Sequence, residues 1–175
     1  MADYLRRAWA EIDLDAITYN FHLLRGRLAP GCKTLAVVKA DAYGHGDGPV
    51  ARALEAAGAD WFAVSNLNEA LSLRRQGITR PILVLGYTPP ELAAVLSSQR
   101  IAQAVVGPDY AQALSQAAVA AGVEVDCHMA VDTGMSRIGF YAQGGREAEA
   151  GREIAAASPL PGLAPHGIFT PPAVA

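Results

Sequence analysis

Apolar residues in this chain recur in two alternating rhythms: stripes at helical spacing, and short, nearly unbroken apolar runs. Asp13 stands before a stripe at Leu14, Ile17, Phe21, Leu24 and Leu28, the spacing of one helical face, and its carboxylate can cap the first turn. Residues 34–38 are apolar and partly β-branched, with Gly31 before them and Gly44 to Gly48 after them, which predicts a fully buried strand. Pro49 opens a second helix carrying Val50, Leu54 and Ala57, and Gly58 closes it.

The alternation then repeats. Trp61–Val64 reads as a strand, and Asn66 with Glu69 as a capping box for a helix ending near Gly77. Residues 81–85 form the next strand, Thr88, Pro89 and Glu91 start a helix with a cap and a proline in its first turn, and 102–106 is a strand. Helix 109–121 stops at Gly122, and strand 123–131, helix 145–157 and strand 167–170 complete the series.

Six strands alternating with helices every ~20 to 35 residues is the rhythm of βα units on a parallel sheet. Two architectures share it: a doubly wound open sheet and an incomplete (β/α)8 barrel of the TIM type with about six of its eight parallel strands. A doubly wound sheet calls for a G-x-G-x-x-G phosphate loop after its first strand. Gly44, Gly46 and Gly48 do not supply that register, which favours the barrel. The 175 residues also fall short of the ~250 of a complete barrel.

Composition narrows the function. Hydrophobic residues make up 51% and charged residues 18%, a globular balance, and no shift or linker divides the chain. A net charge of −3 with scattered basic residues gives no nucleic-acid footprint. The opening segment lacks the apolar stretch of a secretory signal, and no apolar run reaches membrane-spanning length, so a cytoplasmic protein without membrane or nucleic-acid partners is expected. Cys32 and Cys127 lack metal-ligand spacing, and Cys127 and His128 should point to opposite faces of their strand.

In a barrel, reactive groups gather where strands end. This chain places Lys39, Ser65, Tyr87 and Arg137 after its first, second, third and fifth strands. Lys39 can lay its stem along apolar surface with the ammonium in water. Alternatively, an amine withdrawn from bulk water loses its proton more readily and condenses with an aldehyde as a Schiff base. Glycines at 44, 46 and 48 would let the backbone approach a ligand, and Tyr43 adds a hydroxyl. Further on, Arg137 offers a rigid fork of donors for a carboxylate or phenolate, with Asp132 to orient it; equally, Asp132 and Thr133 can form a local turn that leaves Arg137 as a surface charge. His22 reads as solvated, His45 as a shaper of its loop, and His166 as a polar residue leading into the last strand.

Three segments carry a resemblance: Val37 to Gly46 (Val-Val-Lys-Ala-Asp-Ala-Tyr-Gly-His-Gly), Asp132 to Gly139, and Trp9 to Leu14 followed by Asn20. Together, and in order from about Ala8 to Thr170, they resemble alanine racemase, a barrel-type pyridoxal-phosphate enzyme. The resemblance implies that Lys39 holds pyridoxal phosphate and moves the α-proton on one face of alanine. It places Tyr43 close to the cofactor phosphate, and Arg137 beside the cofactor's phenolic oxygen and the substrate carboxylate. The second base of that family is a tyrosine from a β domain of the partner subunit in a homodimer. That domain and the last two barrel strands would lie beyond residue 175, so 1–175 reads as a partial cofactor-binding barrel domain.

Two positions depart from the pattern. Ala130 stands where many members have a lysine, often carbamylated, so no carbamate is expected. Thr170-Pro171-Pro172 replaces Thr-His-Phe and removes the histidine that stacks on the cofactor. With an unfinished barrel's exposed strand edges, these departures lead to the expectation of a truncated racemase with little activity of its own. A non-catalytic fragment that captures pyridoxal phosphate and a serine racemase on the same scaffold are the alternatives.

Overall fold

The structure is a computed structural model that describes residues 8–173; the charged opening segment 1–7 and the last two positions lie outside the described residues. Its strands are β1 (Leu35–Val37), β2 (Trp61–Val64), β3 (Ile82–Val84), β4 (Ile101–Val105), β5 (Val125–Asp132), β6 (Phe140–Tyr141) and β7 (Leu163–Phe169). Helices α1 (Leu14–Arg25), α3 (Asp47–Ala56), α4 (Leu67–Arg75), α5 (Ala93–Ser98), α6 (Pro108–Ala121) and α7 (Glu147–Ala157) alternate with them, and α2 (Lys39–Gly44) is a short helical turn directly after β1.

All strand pairs are parallel, in the order β1-β2-β3-β4-β5, with β6 and β7 both paired to β5. The order follows the sequence and never reverses. With right-handed crossovers, that winding puts every connecting helix on one side of the sheet, whereas a doubly wound sheet reverses its order at a switch point. The barrel reading therefore holds, as an incomplete (β/α)8 barrel.

Alternation along the strands sorts the core. Phe62, Val64, Ile82, Val84, Ile101, Val105, Val125, Cys127 and Met129 form one buried cluster with Leu54, Leu73, Leu96 and Leu114 from the helices. Opposite in alternation, Ala63, Leu83, Ala102, Ala104 and Ala130 are buried on the inner face, where small side chains suit a tight interior. Cys127 and His128 separate as expected, the thiol into the outer core and the imidazole to the inner face.

Several expectations are corrected. β1 is shorter than 34–38 and only half buried, Leu35 and Val37 being 42% and 39% exposed. It pairs with β2 alone among the described strands, so its inner face lacks the second neighbour that full burial needs. The segment after Thr88 is a 3-10 turn (Pro90–Leu92) running into α5, and Thr88 is no cap: its hydroxyl is buried without a partner while its carbonyl accepts the Tyr110 hydroxyl at 2.8 Å. The last strand starts at Leu163, four residues before the expected Gly167, so His166 lies within it. β6, two residues long, was too short to carry a pattern. Helix α1 ends at Gly26, before Leu28.

Candidate active site

The candidate site lies on the rim formed by the carboxyl ends of the strands. Val38, 2% exposed, anchors the end of β1 by donating its amide to the Ala63 carbonyl at 2.9 Å. Lys39 follows, half-buried. The chain then does something the glycine pattern did not announce: Ala40, Asp41, Ala42 and Tyr43 all hold positive φ, between 50° and 57°, making a left-handed helical turn out of residues with side chains. Left-handed backbone costs ~1 to 2 kcal/mol per such residue, so the turn must be held from outside.

Its restraints are identifiable. Ala42, 5% exposed, packs into the core, and its amide bonds Val38 O at 3.0 Å. Gly46 N donates to Asp41 O at 2.9 Å, and Asp47 N to the Asp41 carboxylate at 2.8 Å. His45 Nδ1 donates to Ala42 O at 2.9 Å, since a carbonyl can only accept, so His45 shapes the turn as expected. Gly44 and Gly46 take φ of 86° and 89°, which glycine alone adopts freely. Gly48 has a different role: it sits in α3, and a Cβ there would overlap the Gln76 side-chain amide, so it serves packing rather than ligand approach.

Glu69 makes contacts at this rim that its cap spacing did not announce. Asn66 caps α4 as expected, its Oδ1 accepting from Glu69 N at 3.1 Å, but the Glu69 carboxylate does not complete the capping box. One oxygen accepts from Ala40 N at 3.1 Å and the other from Ser65 N at 2.7 Å. A single carboxylate thus joins the residues that follow β1 and β2. Spacing could not show this, because both donors are backbone amides.

Lys39 and Tyr43 are brought together, with the lysine Nζ 5.9 Å from the ring centroid, within cation–π range. The Tyr43 ring is 61% exposed. Arg137 lies on the same rim, in the loop after β5, exposed, and no hydrogen bond or ion pair joins it to Lys39, Tyr43 or Asp132 among the described residues. Asp132 instead is 5% exposed and accepts from Gly134 N at 3.1 Å and Ser136 N at 2.9 Å, so it folds the loop on itself. That is the local-turn reading. Gly139, at φ 130°, presses against β5, where a Cβ would stand 2.9 Å from Ala130 O and Asp132 N. Thr170 meets Thr133 hydroxyl to hydroxyl at 2.7 Å and ties the end of β7 to the same loop. Tyr87, which follows β3, packs its ring at a tilt on Tyr110, centroid to centroid 5.1 Å.

The opposite rim is built differently. Trp61 and His128 meet edge to face at 5.3 Å, and His166 Nε2 lies 2.7 Å from Asp126. These groups line a cavity of about 640 Å³ with Arg74 and Arg100. Burial holds His128 below the ordinary histidine range; His166 adds to the effect and Asp126 opposes it. In this fold family of parallel barrels, chemistry sits at the carboxyl rim and the amino rim serves stability.

Known proteins place this geometry. The model of the alanine racemase N-terminal domain matches residues 12–175. Alanine racemase of Desulfosudis oleivorans is 47% identical over 167 residues, covering 93% of this chain and 43% of its own length. In structure, alanine racemase from Clostridium difficile 630 superposes with a TM-score of 0.83 at 38% identity over 93% of this chain and 42% of its own. Histidine racemase from Leuconostoc mesenteroides gives 0.76 at 30% identity, covering 91% of this chain and 41% of its own. The chain thus spans a little over two fifths of the length of these relatives. Sequence and fold agree over that span, and the chain belongs to the alanine racemase N-terminal domain family.

Proposed function

We propose that this chain carries the cofactor-holding lysine of a pyridoxal-phosphate-dependent amino-acid racemase, with alanine as substrate and residues 1–175 as a partial cofactor-binding barrel domain. The observation that carries the reading is Lys39, half-buried at the carboxyl end of β1 beside Tyr43, ahead of a left-handed turn that fixes where its backbone sits. The relatives named for alanine support alanine as the substrate.

The residues present fit the cofactor. The Lys39 amine, the Tyr43 hydroxyl and the Arg137 guanidinium make no hydrogen bond within the protein among the described residues, so all three can turn to a ligand. Pyridoxal phosphate supplies, when bound, the electron sink that makes an α-proton acidic enough to remove. Lys39 would hold it covalently and carry the proton on one face of the substrate. Tyr43 would bond the phosphate, and Arg137 the substrate carboxylate and the phenolic oxygen. Ala130 brings only a methyl group to the inner face, so Arg137 would work without a lysine-derived carbamate.

Racemisation needs a proton donor on each face, and Lys39 serves one. A second base from a partner subunit in a homodimer, in the cytoplasm, completes the proposal by the family resemblance. The chain by itself is accordingly expected to capture pyridoxal phosphate while forming at most a trace of D-alanine. Mixing it with the cofactor should give a visible absorption band that Lys39→Ala abolishes. A wild-type chain without a lysine-dependent band would remove the proposal, and D-alanine formation at an ordinary enzymatic rate would overturn the one-base argument.

A further inference from the structure

We infer that Glu69 is a positioning residue for Lys39, holding the lysine's backbone in register with the end of β2 through two hydrogen bonds from one carboxylate. The inference rests on the reading of Lys39 as the cofactor-holding lysine. Ala40 is the first residue of the left-handed turn, three residues past the end of β1 at Val37. Its amide has left the ladder, so its orientation depends on what accepts its proton. Glu69 Oε1 accepts it at 3.1 Å, while Oε2 accepts from Ser65 N at 2.7 Å.

The carboxylate is itself well placed to be rigid. It stands in the first turn of α4, where Asn66 Oδ1 holds its own amide at 3.1 Å, and its neighbours Leu67, Ala70 and Leu73 are buried in the core. Helix α4 therefore acts as a fixed post on which two strand ends hang. Charge-assisted bonds to backbone amides are directional and short, so a shift of the post moves the lysine's Cα with it. A group that must meet an aldehyde carbon loses much of its effectiveness when misplaced by about 1 Å.

Only a positioning role predicts that Lys39 chemistry falls more than stability does. The control is Glu55, whose carboxylate accepts from Thr79 N, Thr79 Oγ1 and Arg80 N just ahead of β3, at the amino ends of the strands and so on the rim opposite the lysine. Wild type, Glu69→Ala, Glu69→Gln and Glu55→Gln would be compared for the rate of pyridoxal phosphate capture, the visible circular dichroism of the captured cofactor, and thermal midpoint. Glu69→Ala is expected to slow capture roughly tenfold and to reduce the dichroism severalfold per bound cofactor. Glu69→Gln keeps one carbonyl oxygen and should lie between. Glu55→Gln should lower the midpoint and leave both cofactor signals at wild-type values.

Wild-type capture and dichroism in Glu69→Ala would overturn the inference. Should the wild-type chain give no lysine-dependent band, the proposed function falls, and the placement of Lys39 is decided instead by hydrogen exchange over residues 38–46. Exchange there faster by tenfold or more in Glu69→Ala upholds Glu69 as the restraint on the turn, and unchanged exchange overturns it.

Discussion

Ala40 shows how a single position carries the cost of placing Lys39. Its φ of 51° is unfavourable for any residue with a Cβ, and its side chain is exposed rather than buried in the core. Ala40→Gly should relieve about 1 kcal/mol or more of left-handed strain, partly offset by the greater freedom glycine gives the unfolded chain. A net gain of about 0.5 to 1 kcal/mol is expected, read as a higher urea midpoint, with cofactor capture retained because the amide bond to Glu69 does not involve the methyl group. A lowered midpoint would show that residue 40 does not occupy the left-handed region. At this scale the sequence disclosed Lys39 and its place at a strand end, but not the turn after it. Glycine is the only strong local signal for positive φ, and Ala-Asp-Ala-Tyr contains none. Asp132 was legible only as two alternatives, since whether a carboxylate bonds its own loop or a nearby guanidinium depends on a turn that sequence does not fix.

At the scale of elements, what could be read was what each segment settles by itself. Asp13, Asn66 and Gly122 end or start their helices as expected, Gly122 with φ 66°, and β2 matches its expected limits, because caps and apolar runs are local. Thr88 carried a cap signal that failed: its hydroxyl is buried without a partner, while its carbonyl accepts from Tyr110. The devices that join elements were hidden because their partners are backbone atoms of distant segments. Arg74, near the end of α4, is the strongest of them. It donates to Ile78 O at 2.9 Å, Arg80 O at 2.8 Å, Gln99 O at 2.9 Å and Arg100 O at 2.7 Å, stapling the approach to β3 against the approach to β4. Burial works against its charge, and Arg100 adds to that, but the fork of donors satisfies four carbonyls at once. Arg74→Lys keeps the charge and loses the fork, so a destabilisation of about 2 to 3 kcal/mol is expected in urea unfolding. Equal stability of the lysine variant would show that charge, not geometry, is what the staple supplies.

The whole molecule is a curved parallel sheet with two differently built rims, one presenting Lys39 and Arg137 and the other holding the half-buried His128. The barrel rhythm was legible because βα repetition is a property of the entire chain, whereas the exposure of Leu35, Val37 and, at 64%, Ile168 depends on which strands have neighbours. The amino rim gives the molecule a pH dependence that can be worked out in sign. The His128 ring is T-packed on Trp61, its Nε2 is buried without a hydrogen-bond partner, and burial is the main reason its pKa lies below the ordinary value. The folded chain therefore resists a proton that the unfolded chain accepts near pH 6.5. Below that pH the unfolded state binds more protons, so stability is complete above about 6.5 and declines as pH falls toward the lower folded value. One such proton gives a slope of at most ~1.4 kcal/mol per pH unit. Glu55 contributes in a separate window. Burial alone would raise its carboxyl, but the bonds from Thr79 and Arg80 outweigh that and hold it below the usual carboxylate value, so its stabilisation is lost only as pH falls below about 4.3. Urea midpoints measured from pH 8 to pH 5 should thus fall in wild type and in Glu55→Gln alike, and stay nearly level in His128→Gln, whose amide cannot charge. An undiminished slope in His128→Gln would assign the proton to another group and leave His128 without a part in the pH response.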